Sequence, residues 1–221
     1  MNPGPKIITY MFGNQNLPVT DTLIVSWVVV LILIVFARLA TRNLKMRPNS
    51  LQNFVELLIE TIHDQIEPML PGEGWKFLPF IATIFLYVGL GNLIGIIPIP
   101  GNTSPTGDLN TTVGLALIVF IVSNYSAIKE VGIWGYLKGF AEPVFFLLPI
   151  NLIGELAKPI SHSFRLFGNV VGGGIIITLI YQAAPWLIPI PLHLWFDVFV
   201  GLIQTMIFGM IAIAYISVAK Q

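Results

Sequence analysis

Five polar residues, Glu155, Lys158, His162, Arg165 and Asn169, interrupt one long apolar stretch. At 100° per residue their spacing confines them to an arc of about 80° on a helix. Arg165 demands a chemical role more than the others do. A guanidinium stays protonated at any physiological pH and cannot escape burial by becoming neutral. At the centre of a membrane helix it costs about 2.5–3.5 kcal/mol on insertion scales, so it marks a functional site by default. A second polar face follows in the last apolar segment, where His193, Asp197 and Gln204 share one side with Gly201 beside them. Ionisable groups aligned inside a membrane line aqueous cavities or ion paths. Each also has a plainer reading. Glu155 and Lys158 are spaced for a structural i,i+3 ion pair, either histidine could be a packing residue, and Gln204 could simply link two helices.

The elements that must position these residues are membrane helices. Of the 221 residues 55% are hydrophobic and 10% charged, with a mean hydropathy of +0.83. A soluble domain could not cover that much apolar surface. Net charge is zero, which argues against a nucleic-acid partner, and the absence of cysteine excludes disulfides and thiol chemistry. The first twenty residues are polar and turn-rich, so we expect a retained, external N-terminal segment rather than a removable leader. Apolar runs at about 22–37, 77–97 and 111–128 read as three spans. Eight of the eleven basic residues fall at ends that these spans place on one side, which is expected to be cytoplasmic. Lys6 falls outside, and the loop from Pro100 to Asn110, without Lys or Arg, is expected to be external. Between the first two spans, Leu51, Phe54, Val55, Leu58, Ile59, Ile62 and Ile66 recur at helical spacing opposite acidic residues. They predict an amphipathic helix on the cytoplasmic interface, ended by Pro68, Pro71 and Gly72. Gly91 and Gly95 are spaced to let another helix approach closely.

The remaining sequence is too long for upright spans. From about Pro143 to Ala184 a continuous helix would measure about 60 Å, twice the hydrocarbon thickness. It must break near Pro159, or tilt and bend with help from Gly172, Gly173 and Gly174. The final segment, about Pro191 to Ala219, is also over-long, and Lys220 places the C-terminus inside. The expected architecture is an all-α integral membrane protein of about five membrane helices plus one interfacial helix. It forms a single membrane domain over 1–221: an external segment (1–20), peripheral helices (21–142) and a long tilted hairpin (143–221).

The run from Asn151 to Asn169, with Arg165-Leu166-Phe167-Gly168-Asn169 at its end, resembles the signature of subunit a of F-type ATP synthases. Gly91-Asn92-Leu93-Ile94-Gly95-Ile96-Ile97-Pro98, Gly107-Asp108-Leu109-Asn110-Thr111-Thr112 and Gly201-Leu202-Ile203-Gln204 resemble further motifs of that family in the same order. The resemblance implies an ion-translocating stator packed against a ring of c subunits, each with a mid-membrane carboxylate reached by two offset half-channels. It also implies b-type peripheral stalk subunits, the rest of the synthase and the lipid bilayer as partners, in what is expected to be a bacterial plasma membrane. Arg165 matches the family's essential arginine. Asn169, Gln204, Asp108 and Asp197 match positions of the external half-channel, and Glu155 matches one near the cytoplasmic exit. His162 and His193 are nominated from their helix faces alone. Many members carry an acid nine residues after the arginine; here that position is Gly174, so Asp197 is expected to carry the relay. Proton and sodium both stay open as coupling ion, because a triple glycine leaves room for water and the deciding ligands would sit on the c subunit.

No phosphate-cradling glycine loop with a following lysine occurs, so no nucleotide or other cofactor is expected in this chain, which would be a non-catalytic part of an enzyme. The alternative is a stand-alone secondary transporter or channel, with Pro159 and the glycines marking a broken substrate-binding helix. Against it, the chain shows no convincing internal repeat. A purely structural membrane anchor would leave Arg165 unexplained.

Overall fold

The computed structural model describes residues 7–10, 18–42, 44–95, 104–140, 145–183 and 189–220. Lys6, the Ile96–Pro98 end of the motif that starts at Gly91 and the loop from Pro100 to Thr103 lie outside the described residues. A short antiparallel ribbon, β1 (Ile7–Tyr10) and β2 (Pro18–Thr20), leads into the first helix. Five stretches are long and apolar enough to cross a membrane, and the chain is an all-α integral membrane protein.

Helix α1 (Asp21–Thr41) starts at Thr20, whose hydroxyl accepts from the Leu23 amide. Most of its side chains point away from the protein, which suits a helix solvated by lipid. Helix α2 (Ser50–Ile66) is amphipathic as the spacing predicts. Its Ile62 and Ile66 are buried in the common core, while Leu51 and Phe54 stay exposed. Pro68 and Pro71 follow, and Gly72 takes a φ of 76°, a conformation that disfavours any side chain. Helix α3 (Gly74–Ile94) returns across the membrane.

What approaches Gly91 and Gly95 is not a helix. A Cβ at Gly95 would lie 3.1 Å from Ser104, and one at Gly91 would lie 3.6 Å from Thr106, so a returning 3-10 turn (Pro105–Gly107) fills the space. The Ser104 hydroxyl donates to the Gly91 carbonyl at 2.9 Å. The expectation of helix packing is corrected here, because small residues four apart admit any close backbone, turn or helix.

Helix α4 (Leu109–Gly139) is capped by Asp108 and changes direction at Gly132, which has a φ of 74°. A 3-10 turn (Phe145–Leu147) precedes α5 (Leu148–Ala183), which passes through Pro159 without a break. At 36 residues α5 is about 54 Å long, so it must tilt steeply to stay within hydrocarbon about 30 Å thick. The final helix comprises α6 (Pro189–His193), a π-helical stretch (Leu194–Val200) and α7 (Gly201–Ala219). Helix α7 sits against both α3 and α4, and Phe208, Ala212, Ile213 and Ile216 are buried in the core they share with Leu166 of α5.

The end of α7 is clamped. Lys220 pairs with Glu73 and, at 2.8 Å, with Glu130, while Lys76 reaches Glu73 at 2.6 Å. The Ser217 hydroxyl donates to the Met69 carbonyl at 2.7 Å. Hydrogen bonds from Lys220 and Lys76 hold the Glu73 carboxyl below its ordinary range. Burial pushes Lys220 down, but hydrogen bonds to Glu130 and Glu73 outweigh it and hold the ammonium above its ordinary value. A depressed carboxylate stabilises above its unfolded pKa and ceases to as pH falls through the folded one. A raised ammonium stabilises below its unfolded pKa and ceases to as pH rises through the folded one. The clamp is therefore intact across the neutral range and opens at both extremes. Lys220→Ala is expected to destabilise the α7 end by about 1 kcal/mol, the top of the range for accessible pairs. Thermal unfolding of the purified complex at neutral pH measures it, and the difference should shrink in acid.

Candidate functional site

Arg165 is exposed on α5, beside Phe164 and one turn beyond Ile160, and makes no hydrogen bond or ion pair with any described residue. The polar arc of α5 straddles the edge of its packed face. Leu166, Gly173 and Ile177 lie buried on one side of that edge; Phe164 and Arg165 lie exposed on the other. The arc therefore divides, with each residue taking the environment that its side of the edge provides.

His162 falls on the inner side. It is 1% exposed and stacked on Phe208 of α7, ring centroids 3.8 Å apart, with Tyr215 at 5.6 Å. Neither ring nitrogen has a hydrogen-bond partner among the described residues. Glu155 and Lys158 form the i,i+3 ion pair allowed by their spacing, at 2.5 Å, and the Lys158 ammonium lies 5.7 Å from the centre of the Tyr215 ring. Asn169 and Gln204 meet across the two helices: the Asn169 amide donates to Gln204 Oε1 at 2.5 Å. Gln204 is buried and its own amide nitrogen has no partner among the described residues.

On the final helix the His193 ring and the Asp197 carboxylate are 2.5 Å apart. The other ring nitrogen of His193 is 3.0 Å from the Tyr181 hydroxyl of α5. Carboxylate, imidazole and phenol thus form one hydrogen-bonded chain. Asp108 sits elsewhere. It caps α4, accepting from the Asn110 amide at 2.9 Å, and accepts from the Thr22 hydroxyl at 2.7 Å, which ties α1 to α4. It does not line the cavity that gathers the others.

That cavity, about 370 Å³, lies between α5 and the final helix and is lined by Asn169, Gly174, Tyr181, His193, Asp197 and Gln204 among others. The glycines of the triple run differ in use. A Cβ at Gly173 would lie 3.3 Å from the Phe196 ring, whereas one at Gly174 would meet nothing within 4 Å and faces the open space. A second cavity, about 800 Å³, lies toward the start of α5 and is lined by Tyr136, Lys138, Asn151, Glu155 and Lys158 with parts of α4 and α7. Arg165 stands on α5 between the stretches that line the two.

Two contributors escaped the sequence reading. Asn92 lines the first cavity and donates to the Gly201 carbonyl at 3.0 Å and to Thr205 at 3.3 Å, while accepting from Thr106 at 2.6 Å. It fixes the junction where the π-helical stretch becomes α7. Tyr181 lies off the polar arc, so periodicity could not find it. Its signal is position, since Tyr181 lies near the end of α5 and His193 near the start of the final helix.

A bundle of spanning helices with two separate polar clefts along α5 defines an integral membrane protein that carries polar groups within its spans. A family model described as ATP synthase A chain matches residues 23–217. The sodium ion specific ATP synthase subunit a of Propionigenium modestum is 39% identical, over 98% of this chain and 79% of its own length. Subunit a of Moorella thermoacetica is 35% identical over 94% of each chain. The chloroplastic subunit a of Oedogonium cardiacum is 40% identical over 89% of this chain and 81% of its own. The chain belongs to the ATP synthase subunit a family, and is an ion-translocating membrane subunit of a rotary ATP synthase.

Proposed function

We propose that the chain is the non-catalytic stator against which a ring of c subunits turns, with two offset half-channels separated by Arg165. The observation that carries this is an exposed guanidinium with no hydrogen bond or ion pair among the described residues, between one polar cavity and another along a single helix. A fixed cation at that face favours the ionised form of a passing carboxylate, whereas lipid favours the neutral, ion-loaded form. The arginine discharges each arriving carboxylate and blocks direct leak between the cavities. The Asn169, Asp197 and Gln204 cavity is the external half-channel, and Glu155 lies at the cytoplasmic one. Asp108 serves that pathway indirectly, by setting α4 against α1. His162 borders the path from the packed side of α5. The remaining assignments follow: a hairpin from 143 onward as the translocating part, b-type subunits as stalk, N-terminus outside and C-terminus inside a bacterial plasma membrane.

Thiol labelling tests the two half-channels, because the chain has no native cysteine. In sealed vesicles of the whole complex, Asp197→Cys should react with a membrane-impermeant reagent from the external side and Glu155→Cys from the cytoplasmic side. Reaction of both from the same side would overturn the arrangement.

The proton is the proposed coupling ion, supported by the Asp197, His193 and Tyr181 chain, which can pass protons but offers sodium few oxygens. His193→Ala should lower ATP synthesis by about a hundredfold, the low side of what a positioned proton carrier contributes. Tyr181→Phe should cost on the order of the two- to tenfold that one hydrogen bond is worth. Sodium is the second reading, favoured by the likeness to the sodium ion specific subunit a of Propionigenium modestum. Activation of ATP hydrolysis by sodium at alkaline pH would establish it instead.

A further inference from the structure

Away from the polar clefts, a cavity of about 730 Å³ lies between α1, α3 and α4. Its walls are almost wholly apolar, with Val30, Leu33 and Ile34 from α1, Ile84 from α3, and Leu115 and Ile118 from α4. Of the hydroxyl groups in its walls, Thr83 donates to the Pro79 carbonyl at 2.7 Å and Tyr87 to Ser26 at 3.1 Å. Val30, Ile34 and Ile118 are also exposed, so the slot opens to the outside of the bundle.

The slot persists because α1 is pinned on either side of it. Above, Thr22 bonds to Asp108, Tyr87 bonds to Ser26 and Val29 is fully buried; below, Ala40 is buried. Between them α1 stands off from its neighbours. Gly114 of α4 adds room, since a Cβ there would meet nothing within 4 Å. An apolar slot open to hydrocarbon does not stay empty, because its lining would forfeit dispersion contacts on one side. A spanning helix is about 10 Å wide and about 30 Å long, several times the volume available, so it could lie over the slot but not in it. An acyl chain is slender enough to enter.

The basic end of α1 indicates which lipid. On α1 the slot runs from Val30 to Ala37, and Arg38, four residues after Ile34, continues the stripe. Arg42, Lys45 and Arg47 follow, and all four cations are exposed with no ion pair among the described residues. Basic residues at a membrane surface attract anionic headgroups at about 1 kcal/mol each. We propose that the slot between α1, α3 and α4 binds an acyl chain of an anionic phospholipid whose headgroup is held by Arg38 and Arg42. The lipid fastens α1 to the bundle where protein contacts do not.

The test uses the detergent-purified complex, equilibrated with equal phosphatidylglycerol and phosphatidylcholine and washed, with retained lipid counted by mass spectrometry. Wild type should keep phosphatidylglycerol in preference to phosphatidylcholine. Gly114→Leu, which fills the slot from α4, should retain one lipid fewer per complex. Arg38→Gln with Arg42→Gln leaves the slot open, and should keep a lipid while losing about fivefold in headgroup preference per charge removed. A photo-crosslinker on Leu33→Cys should capture phospholipid. Equal retention and preference in wild type and the arginine variant would overturn the proposal. So would a crosslink from Leu33 to another protein, since a partner helix would then cover the slot.

Discussion

Replacing Arg165 with alanine should abolish ATP synthesis and ATP-driven ion pumping while the complex still assembles. Assembly is expected to survive because Arg165 has no hydrogen bond or ion pair among the described residues to lose and lies outside the packed face of α5. A guanidinium buried in an ion pair would behave differently, since removing one partner of such a pair costs about 3–5 kcal/mol and would damage the fold. Coupling should fail completely because no other described cation stands between the two cavities. Lys158, the nearest on the same helix, is already paired with Glu155. Arg165→Lys would keep a charge but lose the planar, always-protonated group, and should restore far less than wild-type synthesis. The measurements are ATP synthesis in energised vesicles and passive ion leak in the same preparation. Normal synthesis by the alanine variant would refute the proposed mechanism.

The second large effect is expected at Gly209, which lines neither polar cavity. A Cβ built there would collide with the ring of Phe85 on α3, so the two helices meet at a contact only glycine allows. Phe85 and Gly209 both lie in buried positions, and α3 packs closely on α7. Gly209→Val should cost at least the 1–3 kcal/mol or so of ordinary overpacking, and reduce the amount of subunit recovered in the assembled complex severalfold. Phe85→Ala in the same chain should restore much of it, because the removed ring vacates the place the new side chain needs. If the double variant assembled no better than Gly209→Val alone, the glycine would matter for something other than this contact. Paired recoveries of this kind separate one contact from general damage.

Most of the architecture was legible because lipid imposes a simple rule. Backbone groups must pair within each span, so long apolar runs can only be helices, and their lengths forced the tilt of α5. Periodicity placed Asn169 on one polar face and His193, Asp197 and Gln204 on another without naming partners, and the structure pairs Asn169 with Gln204 and His193 with Asp197. Less legible was how a polar arc divides when it lies along the rim of a packed face. His162 and Arg165 are 60° apart on a helix, yet one is enclosed against Phe208 and the other is open. Spacing alone cannot say where that rim runs, since it depends on how α7 lies across α5. The turn seated on Gly91 and Gly95, and the change of direction at Gly132, were hidden for a similar reason. Glycine permits several local structures, and only the neighbouring chain selects one.

The fastening of α7 has a mechanical consequence. One end is tied by Lys220 to Glu73 at the start of α3 and to Glu130 within α4, and the other is keyed by Asn92 at Gly201, so the helix cannot roll about its long axis without breaking these contacts. Leu166 and His162 press against that braced post through the core and the Phe208 ring. If a rotor slides along the outer side of α5 as proposed, its drag falls on this braced strut, which would hold the guanidinium at its station under load.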